Sequence, residues 1–358
     1  MFKKAKNVSE ISRKRELKTE DIVKRLSVIS PNRVHLKDYP IDNPVSIFNP
    51  ALTVRGENIH IYARIIMGYF MYVSAIVRLE IPIDDVYSSI ASISHYPCNI
   101  IINPSTKYDI WGTEDPRVTE IDNRLYMTYV GRTINYFNPM IRRERTLPVI
   151  AVSENNGHTW RKKLVIVLPR DLRDFVISDK DAFIIKTREG DILVFHRPHL
   201  TDEKFYLLIS KISAESIEPT DDIKEVEVKE TTIVLEALPT EHKLGWSTPP
   251  IEVEPNTYLT LVHGVDKYIE GYRVFAALVK YDKDVGPRVI AVTPYYIMEP
   301  KTPYELFGDR PYTIFPCGLY RVDKDKALIS YGAGDFVIGI AELDINEAMS
   351  ILDKNRVE

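Results

Sequence analysis

The sequence predicts an all-β fold in which short strands and tight turns alternate along most of the chain. From Asn49 onward, short apolar or alternating runs are separated by turn residues, and 23 prolines punctuate the 358 residues. Helical periodicity is nearly absent after residue 40. Many short strands at close spacing are typical of a sandwich, a barrel or a propeller. Examples of these runs are Ile59–Arg64, Val149–Val152, Ile192–Phe195 and Tyr258–Val262.

Loose internal echoes are compatible with a propeller, whose blades repeat one sheet motif along the chain. Residues 151–160 contain the pattern S-x-N-x-G-x-x-W, which resembles a strand-turn motif that recurs in sugar-processing propellers. Leu208–Ser213 is a weaker echo of it. The last strand-like segments, Ala327–Asp335 and Val337–Ala341, are predicted to close the ring.

The first 40 residues differ from the rest and predict a basic arm with a short helix, before a single β domain at 41–358. Thr19-Glu20-Asp21 is typical of a helix start, and the helix is predicted to run through Leu26. The arm is interpreted as an oligomer contact or a lid over a neighbouring site, or alternatively as a solvated charged extension. Its basic residues are Lys3, Lys4, Lys6, Arg13, Lys14, Arg15 and Lys18.

The composition favours a small or neutral partner. The net charge is −4, and the 27% of charged residues are mixed in sign, so neither nucleic acid nor an anionic membrane is indicated as a partner. No apolar run approaches the ~20 residues that a membrane-spanning helix needs, and the N-terminus has no apolar leader. We therefore expect a soluble intracellular protein.

Two further compositional features indicate its environment. Cys98 and Cys317 lie far apart without metal-ligand spacing, which argues against a disulfide framework or a zinc site and fits a reducing cytoplasm. The chain contains no glutamine, while Ile, Tyr, Glu, Lys and Arg are abundant. Because thermolabile amides are disfavoured in hot environments, a thermophilic source is predicted.

The strongest chemical signal is the segment Trp111–Arg117, which puts two carboxylates and a guanidinium around a proline. The residues after it predict two strands joined at the turn pair Asp122-Asn123, so that Asp115 lies at a strand mouth. Pro116 is expected to hold Asp115 in extended geometry, as suits a catalytic acid. The alternative is that Glu114 or Asp115 caps a turn and pairs with Arg117.

Several separated stretches between about residues 45 and 345 resemble glycoside hydrolase family 130, the mannoside phosphorylases, in residue type, order and spacing. The stretches are Asn49-Pro50-Ala51, Tyr62-Ala63-Arg64, Gly112–Arg117, His196-Arg197-Pro198, Pro249-Pro250, Val262-His263-Gly264, Gly271-Tyr272-Arg273, Pro316-Cys317-Gly318 and Tyr331–Asp335.

The resemblance implies that the β domain is a five-bladed β-propeller with its site in a central funnel. It also implies that a β-linked mannosyl unit is transferred to inorganic phosphate with inversion, which gives α-mannose 1-phosphate. Asp115 matches the single catalytic acid of the family, which protonates the glycosidic oxygen through the mannose 3-hydroxyl. Phosphate attacks the anomeric carbon from the opposite face.

Phosphate as the nucleophile explains why the implied site has cations where an ordinary inverting glycosidase has a second carboxylate. An ordinary inverting glycosidase needs a base to activate water, whereas phosphate is already an anion and needs a basic cradle. By motif, Lys180, Arg197, Lys243 and His263 fall where the family binds phosphate. From the residues alone, Arg197 would pair with a nearby acid and His263 would be a core histidine. Phosphate is the implied co-substrate, and neither a cofactor nor a metal is implied.

The mannose subsite is implied in the same way. Asn49, Arg64 and Asp335 match positions where an amide, a guanidinium and a carboxylate hold ring hydroxyls. Their alternative interpretations are a turn asparagine, a surface arginine with its stem packed down, and a turn aspartate. The remaining sugar-binding candidates are Glu114, Arg117 and Tyr272, with Arg273 beside Tyr272.

The acceptor side departs from the family pattern. The family often has Ala-Ala-Asp where this chain has Ala333-Gly334-Asp335, and Lys243–Pro249 lacks the common glycine-rich form. Tyr136–Arg145 and Tyr295–Arg310 are loops that are interpreted as shaping this side. Linkage, acceptor, physiological direction and oligomeric state vary within the family, and a homo-oligomer is one option.

Two other functions stay open from the sequence. An inverting β-mannosidase would use water and a base such as Glu114, Glu252 or Asp181. A non-catalytic sugar-binding propeller would tolerate replacement of Asp115. The presence of the acid together with the basic residues favours the phosphorylase.

Overall fold

The computed structural model describes residues 2–68, 72–135, 137–218 and 222–357, and its strands form five sheets. Within each sheet, consecutive antiparallel strands run outward from an innermost strand. The innermost strands contact one another around a central axis. The predicted five-bladed β-propeller is therefore confirmed.

The strands of the described residues are, in chain order, β1 (Lys3–Lys4), β2 (Lys24–Ile29), β3 (Val34–Leu36), β4 (Ser46–Arg55), β5 (Asn58–Ile66), β6 (Ser74–Pro82), β7 (Tyr96–Ile102), β8 (Thr113–Ile121), β9 (Arg124–Arg132), β10 (Thr146–Ser153), β11 (Arg161–Val167), β12 (Val176–Lys186), β13 (Ile192–Leu200), β14 (Leu207–Ile212), β15 (Lys224–Glu227), β16 (Lys229–Leu235), β17 (Glu241–Trp246), β18 (Ile251–Glu254), β19 (Thr257–Asp266), β20 (Tyr272–Lys280), β21 (Arg288–Val292), β22 (Ile314–Arg321), β23 (Lys326–Ala333) and β24 (Val337–Asp344). The α-helices are α1 (Val8–Ser12), α2 (Ile83–Tyr87), α3 (Arg170–Arg173), α4 (Pro303–Leu306) and α5 (Ile345–Asp353).

Blades one to five begin at the innermost strands β4, β8, β12, β17 and β22. Segments from elsewhere in the chain complete four of them at the outer edge. In blades one, two and three, β3, β15 and β1 add a parallel strand, and in blade five β2 adds an antiparallel one. These additions cover outer edges that would otherwise expose unpaired backbone groups.

The hydrophobic core lies between the blades, because each sheet is covered on both faces by its neighbours. Between blades one and two, for example, Ala51 and Tyr62 pack with Val118, Met127 and Tyr129. All but one of the residues of β5 are buried. This is why several strands show continuous apolar runs instead of strict alternation.

Blades one to three carry the same backbone irregularity on their innermost strands. Asn49, Asp115 and Asp181 are spaced by 66 residues, have φ of 48°, 51° and 53°, and each lies where the pairing with the next strand shifts register. Such a bulge re-aims a side chain, here toward the axis. The extended geometry predicted for Asp115 is wrong, since the bulge imposes a positive φ that Asp and Asn tolerate.

The N-terminal segment forms a strand where a helix was predicted. The helix predicted from Thr19 to Leu26 is wrong, because β2 covers Lys24–Ile29 and pairs with β24 of blade five. Asp21 accepts a bond from the Val23 amide and two from the Arg25 guanidinium, which leaves it no role as a helix cap. Residues 24–36 of the predicted arm thus belong to blades five and one, and independent folding of residues 41–358 stays a prediction.

The rest of the arm is bound along its own propeller. β1 pairs with β16, and α1, the short helix of this extension, buries Val8 and Ile11. Arg15 donates to both carboxylate oxygens of Glu241 at 2.6 and 3.0 Å, and neither side chain is exposed by more than 3%. The arm therefore fastens blade three to blade four instead of extending into solvent.

The longest helix of the described residues, α5 in the C-terminal part of the chain, was not predicted from the sequence. α5 begins where the Asp344 side chain accepts a bond from the Glu347 amide, and it buries Ile345, Ala348 and Leu352. Its nine residues are too few to show a clear helical period beside the strands. No helix among the described residues has the length and apolarity to span a membrane.

We expect Arg15→Met to lower the free energy of unfolding by about 3–5 kcal/mol, because Glu241 would be left as a buried unpaired charge. Urea denaturation followed by tryptophan fluorescence measures the loss. Lys4→Met is the matched control, since it removes an exposed pair with Glu236 and is expected to cost at most about 1 kcal/mol. Equal losses in the two variants would contradict the clamp role of Arg15.

Candidate active site

A cavity of about 390 Å³ opens at one end of the central channel, and the bulges at Asn49, Asp115 and Asp181 line it. Nine of the eleven predicted site residues lie on its wall. They are Asn49, Arg64, Glu114, Asp115, Lys180, Arg197, Lys243, Tyr272 and Asp335. The fold thus brings together, from all five blades, residues that are far apart in the sequence.

Asp115 is held by two neighbours on blade one. Its Oδ1 accepts a hydrogen bond from Asn49 Nδ2 at 2.8 Å and lies 3.2 Å from Arg64 Nη1. The side chain is nearly buried yet reaches the cavity. A carboxyl fixed by a bulge and by two directional partners is preorganised for proton transfer to a bound substrate.

Glu114 forms the centre of a second ion cluster beside the acid. Its Oε1 accepts from Arg64 Nη2 at 2.8 Å and lies 3.5 Å from Arg132 Nε, and its Oε2 accepts from Lys180 Nζ at 3.2 Å. Arg64 therefore bridges Glu114 and Asp115. Because Glu114 is bound by cations on both oxygens, it serves to position Arg64 and Lys180.

Asp181 is a buried carboxylate that joins three blades. Arg197 donates to its Oδ2 twice, at 2.9 and 2.7 Å, while Arg117 Nη2 lies 3.3 Å from Oδ1 and His263 Nε2 lies 3.5 Å from Oδ2. Burial alone would raise the pKa of Asp181, but Arg197 and then His263 outweigh it and hold the pKa well below its usual range. Asp181 is therefore a permanent anion.

Two predicted site residues lie behind the cavity wall. Arg117 is fully buried and donates to the carbonyls of Asp115, Trp246 and Ser247, so its guanidinium is bound by groups of the protein. His263 is also buried, and burial lowers its pKa, against the opposing effect of the neighbouring Asp181 carboxylate. In this structure both residues support Asp181, and direct contact with substrate stays a prediction.

Lys243 differs from Arg64, Lys180 and Arg197, which each contact a carboxylate. Its ammonium lies 5.2 Å from the centre of the Phe205 ring, and Arg197 lies 5.1 Å from the same ring. No hydrogen bond or ion pair joins its side chain to a carboxylate within the described residues. Burial, together with the charge of Arg197, lowers the pKa of Lys243 to about 7.

Asp335 lies in the hairpin between β23 and β24, where φ is 49°. Burial raises its pKa to about 6, against the opposing effects of Arg64 and Arg310. This carboxyl can therefore donate or accept a hydrogen bond near neutral pH, as recognition of a sugar hydroxyl requires.

Sequence analysis missed other residues of the wall. Asp181, which was considered there only as an alternative base, follows Asp115 by 66 residues, as Asp115 follows Asn49, and this repeated spacing was a detectable signal. Arg310 lies in the predicted loop Tyr295–Arg310 and reaches the cavity, whereas Tyr136 of the other loop lies outside the described residues. Nothing in the local sequence marks the others, which are Tyr72, Ser178, Phe205, Thr313 and Phe315.

A second, larger cavity of about 740 Å³ opens at the opposite end of the channel. Glu252 lines that cavity, where it pairs with Arg188 at 2.7 Å. Glu252 is thus remote from Asp115, and the suggestion that it serves as a catalytic base is wrong.

Fold and site together define a five-bladed propeller of the glycoside-processing class, with a carboxyl acid and a group of cations in one axial cavity. More narrowly, the chain belongs to glycoside hydrolase family 130. The family model described as beta-1,4-mannooligosaccharide phosphorylase matches residues 13–354.

Named relatives agree with this assignment. The chain is 26% identical over 340 residues to the beta-1,2-mannobiose phosphorylase of Thermoanaerobacter sp. (strain X514), covering 86% of this chain and 96% of that protein. It is 26% identical over 250 residues to the 1,2-beta-oligomannan phosphorylase of the same organism, covering 69% and 73%. The solved beta-1,2-mannobiose phosphorylase from Listeria innocua, in complex with beta-1,2-mannobiose, has the same fold, with a TM-score of 0.70 at 18% identity over 93% of this chain and 99% of that one.

The electrostatics of Lys243 predict that the cavity binds anions more weakly as the pH rises. The charged ammonium exists below the pKa of about 7 and is lost above it. Sulfate, whose own charge is constant over this range, should therefore bind about 10-fold more weakly at pH 8.5 than at pH 6. Calorimetric titration at several pH values measures this.

Lys243→Arg is the control for this titration, because a guanidinium stays charged throughout. Its sulfate affinity should change much less with pH. An identical pH dependence in both proteins would assign the effect to another group, and a flat profile in the wild type would show that Lys243 does not titrate there.

Proposed function

We propose that the protein is an inverting β-mannoside phosphorylase. It cleaves a β-mannoside with inorganic phosphate to give α-mannose 1-phosphate, or synthesises the β-mannoside by the reverse reaction. The observation that carries the proposal is one preorganised carboxyl, Asp115, in the same axial cavity as Lys180, Arg197 and Lys243. Family membership and the names of the two 26% identical relatives support it.

In the proposed reaction, protonated Asp115 supplies a proton to the glycosidic oxygen, through the mannose 3-hydroxyl as relay. An oxygen of phosphate forms a bond to the anomeric carbon from the opposite face while the glycosidic bond breaks. The leaving sugar keeps the proton and becomes a free alcohol. Asp115 is left as a carboxylate and is reprotonated from solvent or from the next phosphate, and synthesis runs these steps in reverse.

Asn49 and Arg64 hold the carboxyl of Asp115 in place, and with Asp335, Glu114 and Tyr272 they are proposed to line the mannose subsite. Lys180, Arg197 and Lys243 are proposed to hold phosphate in line with the anomeric carbon. Positioning of this kind contributes most where the nucleophile is already an anion.

Two of the carboxylates near the acid, Glu114 and Asp181, are poorly suited to activate water. Glu114 accepts from Arg64 and Lys180, and Asp181 is bound by Arg197 and has a low pKa. A general base works best with a pKa near the operating pH, which a tightly paired anion lacks. This favours phosphate over water as the nucleophile.

The relatives' names make β-1,2-linked mannobiose or oligomannan the first substrates to test, with a β-1,4-linked mannooligosaccharide as the alternative from the family description. A cytoplasmic location, a thermophilic source and a homo-oligomer stay predictions, as does the absence of a further cofactor.

The decisive experiment incubates the purified protein with α-mannose 1-phosphate and a panel of acceptors, which are mannose, glucose, N-acetylglucosamine and β-mannobioses. We expect acceptor-dependent release of phosphate, and the disaccharide formed identifies the linkage. Cleavage of β-mannobioses at equal rates with and without phosphate would instead identify a mannosidase, and sugar binding without turnover a binding protein.

Asp115→Asn should reduce turnover by about 10³-fold, because it removes the proton donor while keeping the shape of the site. Calorimetry should show that sugar binding is largely retained, and circular dichroism that the fold is unchanged. Asp122→Asn, in the exposed turn between β8 and β9, is the matched control and should leave turnover unaltered. Full activity of Asp115→Asn would remove Asp115 from the mechanism.

A further inference from the structure

The cations of the cavity fall into two groups. Arg64, Lys180 and Arg197 each contact a carboxylate of this chain, namely Asp115, Glu114 or Asp181. Within the described residues, Lys243 and Arg310 make no hydrogen bond or ion pair with a carboxylate. Their charges are therefore the ones that a bound anion would neutralise.

Both of these cations are held by aromatic rings. The guanidinium carbon of Arg310 lies 4.7 Å from the centre of the Tyr272 ring, as Lys243 lies over Phe205. A ring fixes the position of a cation without cancelling its charge. The two cations also influence each other, since the charge of Arg310 contributes to the lowered pKa of Lys243.

The loop that carries Arg310 is anchored at both ends. Glu305, in α4, is fully buried and accepts bonds from the Arg25 guanidinium and the Tyr331 hydroxyl. The Arg310 amide donates to the Gly334 carbonyl at 3.0 Å. At Gly308, with φ of 138°, an added Cβ would lie 2.4 Å from the same carbonyl, so the loop packs closely against the β23–β24 hairpin.

The acidic neighbours of Arg310, Asp309 and Asp335, form no ion pair with it. Asp309, next in sequence, accepts a hydrogen bond from the Tyr72 hydroxyl at 2.9 Å. The charge of Arg310 acts to lower the pKa of Asp335, but no ion pair joins the two side chains. Burial has the larger effect and raises the pKa of this carboxyl to about 6. Arg310 thus presents a charged, planar donor group to the cavity, and such a fork matches phosphate oxygens in a bidentate geometry.

We propose that Arg310, in the loop before blade five, is a phosphate-binding residue that acts together with Lys243. This inference rests on the proposed phosphorylase function. It adds Arg310 to the phosphate-binding residues that the sequence motifs imply, which are Lys180, Arg197, Lys243 and His263.

The test compares Arg310→Met with Arg310→Lys and with Lys301→Met. Lys301 lies in the same loop but pairs with Asp21 at 3.2 Å outside the cavity, which makes it the matched control. In phosphorolysis of β-mannobiose, Arg310→Met should raise the KM for phosphate about 30-fold, with the KM for the sugar changed less than about 2-fold. Arg310→Lys should be intermediate, and Lys301→Met should match the wild type.

Two further readouts separate binding from a structural role. Calorimetric titration of phosphate in the absence of sugar should show the same loss of affinity in Arg310→Met, and added guanidinium ion at a non-denaturing concentration should partly restore its rate. An unchanged phosphate KM, or a raised sugar KM alone, would overturn the inference for Arg310 while leaving the phosphorylase standing. If the wild type neither binds nor uses phosphate, both proposals fall.

Discussion

The axial site depends on the burial of one carboxylate, Asp181, among Arg197, Arg117 and His263, which come from three blades. Taking an anion out of water is costly, and the cost is offset only where the geometry of its partners is good. Arg197 from blade three and Arg117 from blade two supply that geometry. Arg117 at the same time donates to backbone carbonyls of blade four, so neutralising Asp181 also fixes how three blades meet at the axis.

This constraint explains why the cavity contains cations with different tasks. Arg197 and Lys180 are partly neutralised by internal carboxylates, so their positions are fixed before any ligand arrives. Lys243 and Arg310 rest on aromatic rings and, within the described residues, form no ion pair with a carboxylate. In the proposed function, an anion would bind to such a site without first breaking a strong internal ion pair, because part of the site is organised before the ligand arrives.

The sequence predicted what local chemistry determines. Strand periodicity and turn residues were enough for the all-β class, and Glu114-Asp115-Pro116-Arg117 stood out because its residues are contiguous. The strand β2 was mistaken for a helix, because its partner β24 lies more than 300 residues away and only that pairing decides its conformation. Burial of Arg117 and His263 behind Asp181 was equally invisible, since it results from contacts among separate blades.

The 66-residue spacing of Asn49, Asp115 and Asp181 shows how one backbone feature serves three purposes. Each bulge directs a short polar side chain toward the axis, so the backbone alone does not distinguish them. Their surroundings distinguish the three residues. Asn49 donates to Asp115, Asp115 faces the cavity beside one guanidinium, and Asp181 is enclosed by Arg197, Arg117 and His263. A repeated scaffold therefore becomes an asymmetric site through the neighbours of each bulge, with Asn49 as an orienting amide, Asp115 as the proposed acid and Asp181 as a permanent counter-ion.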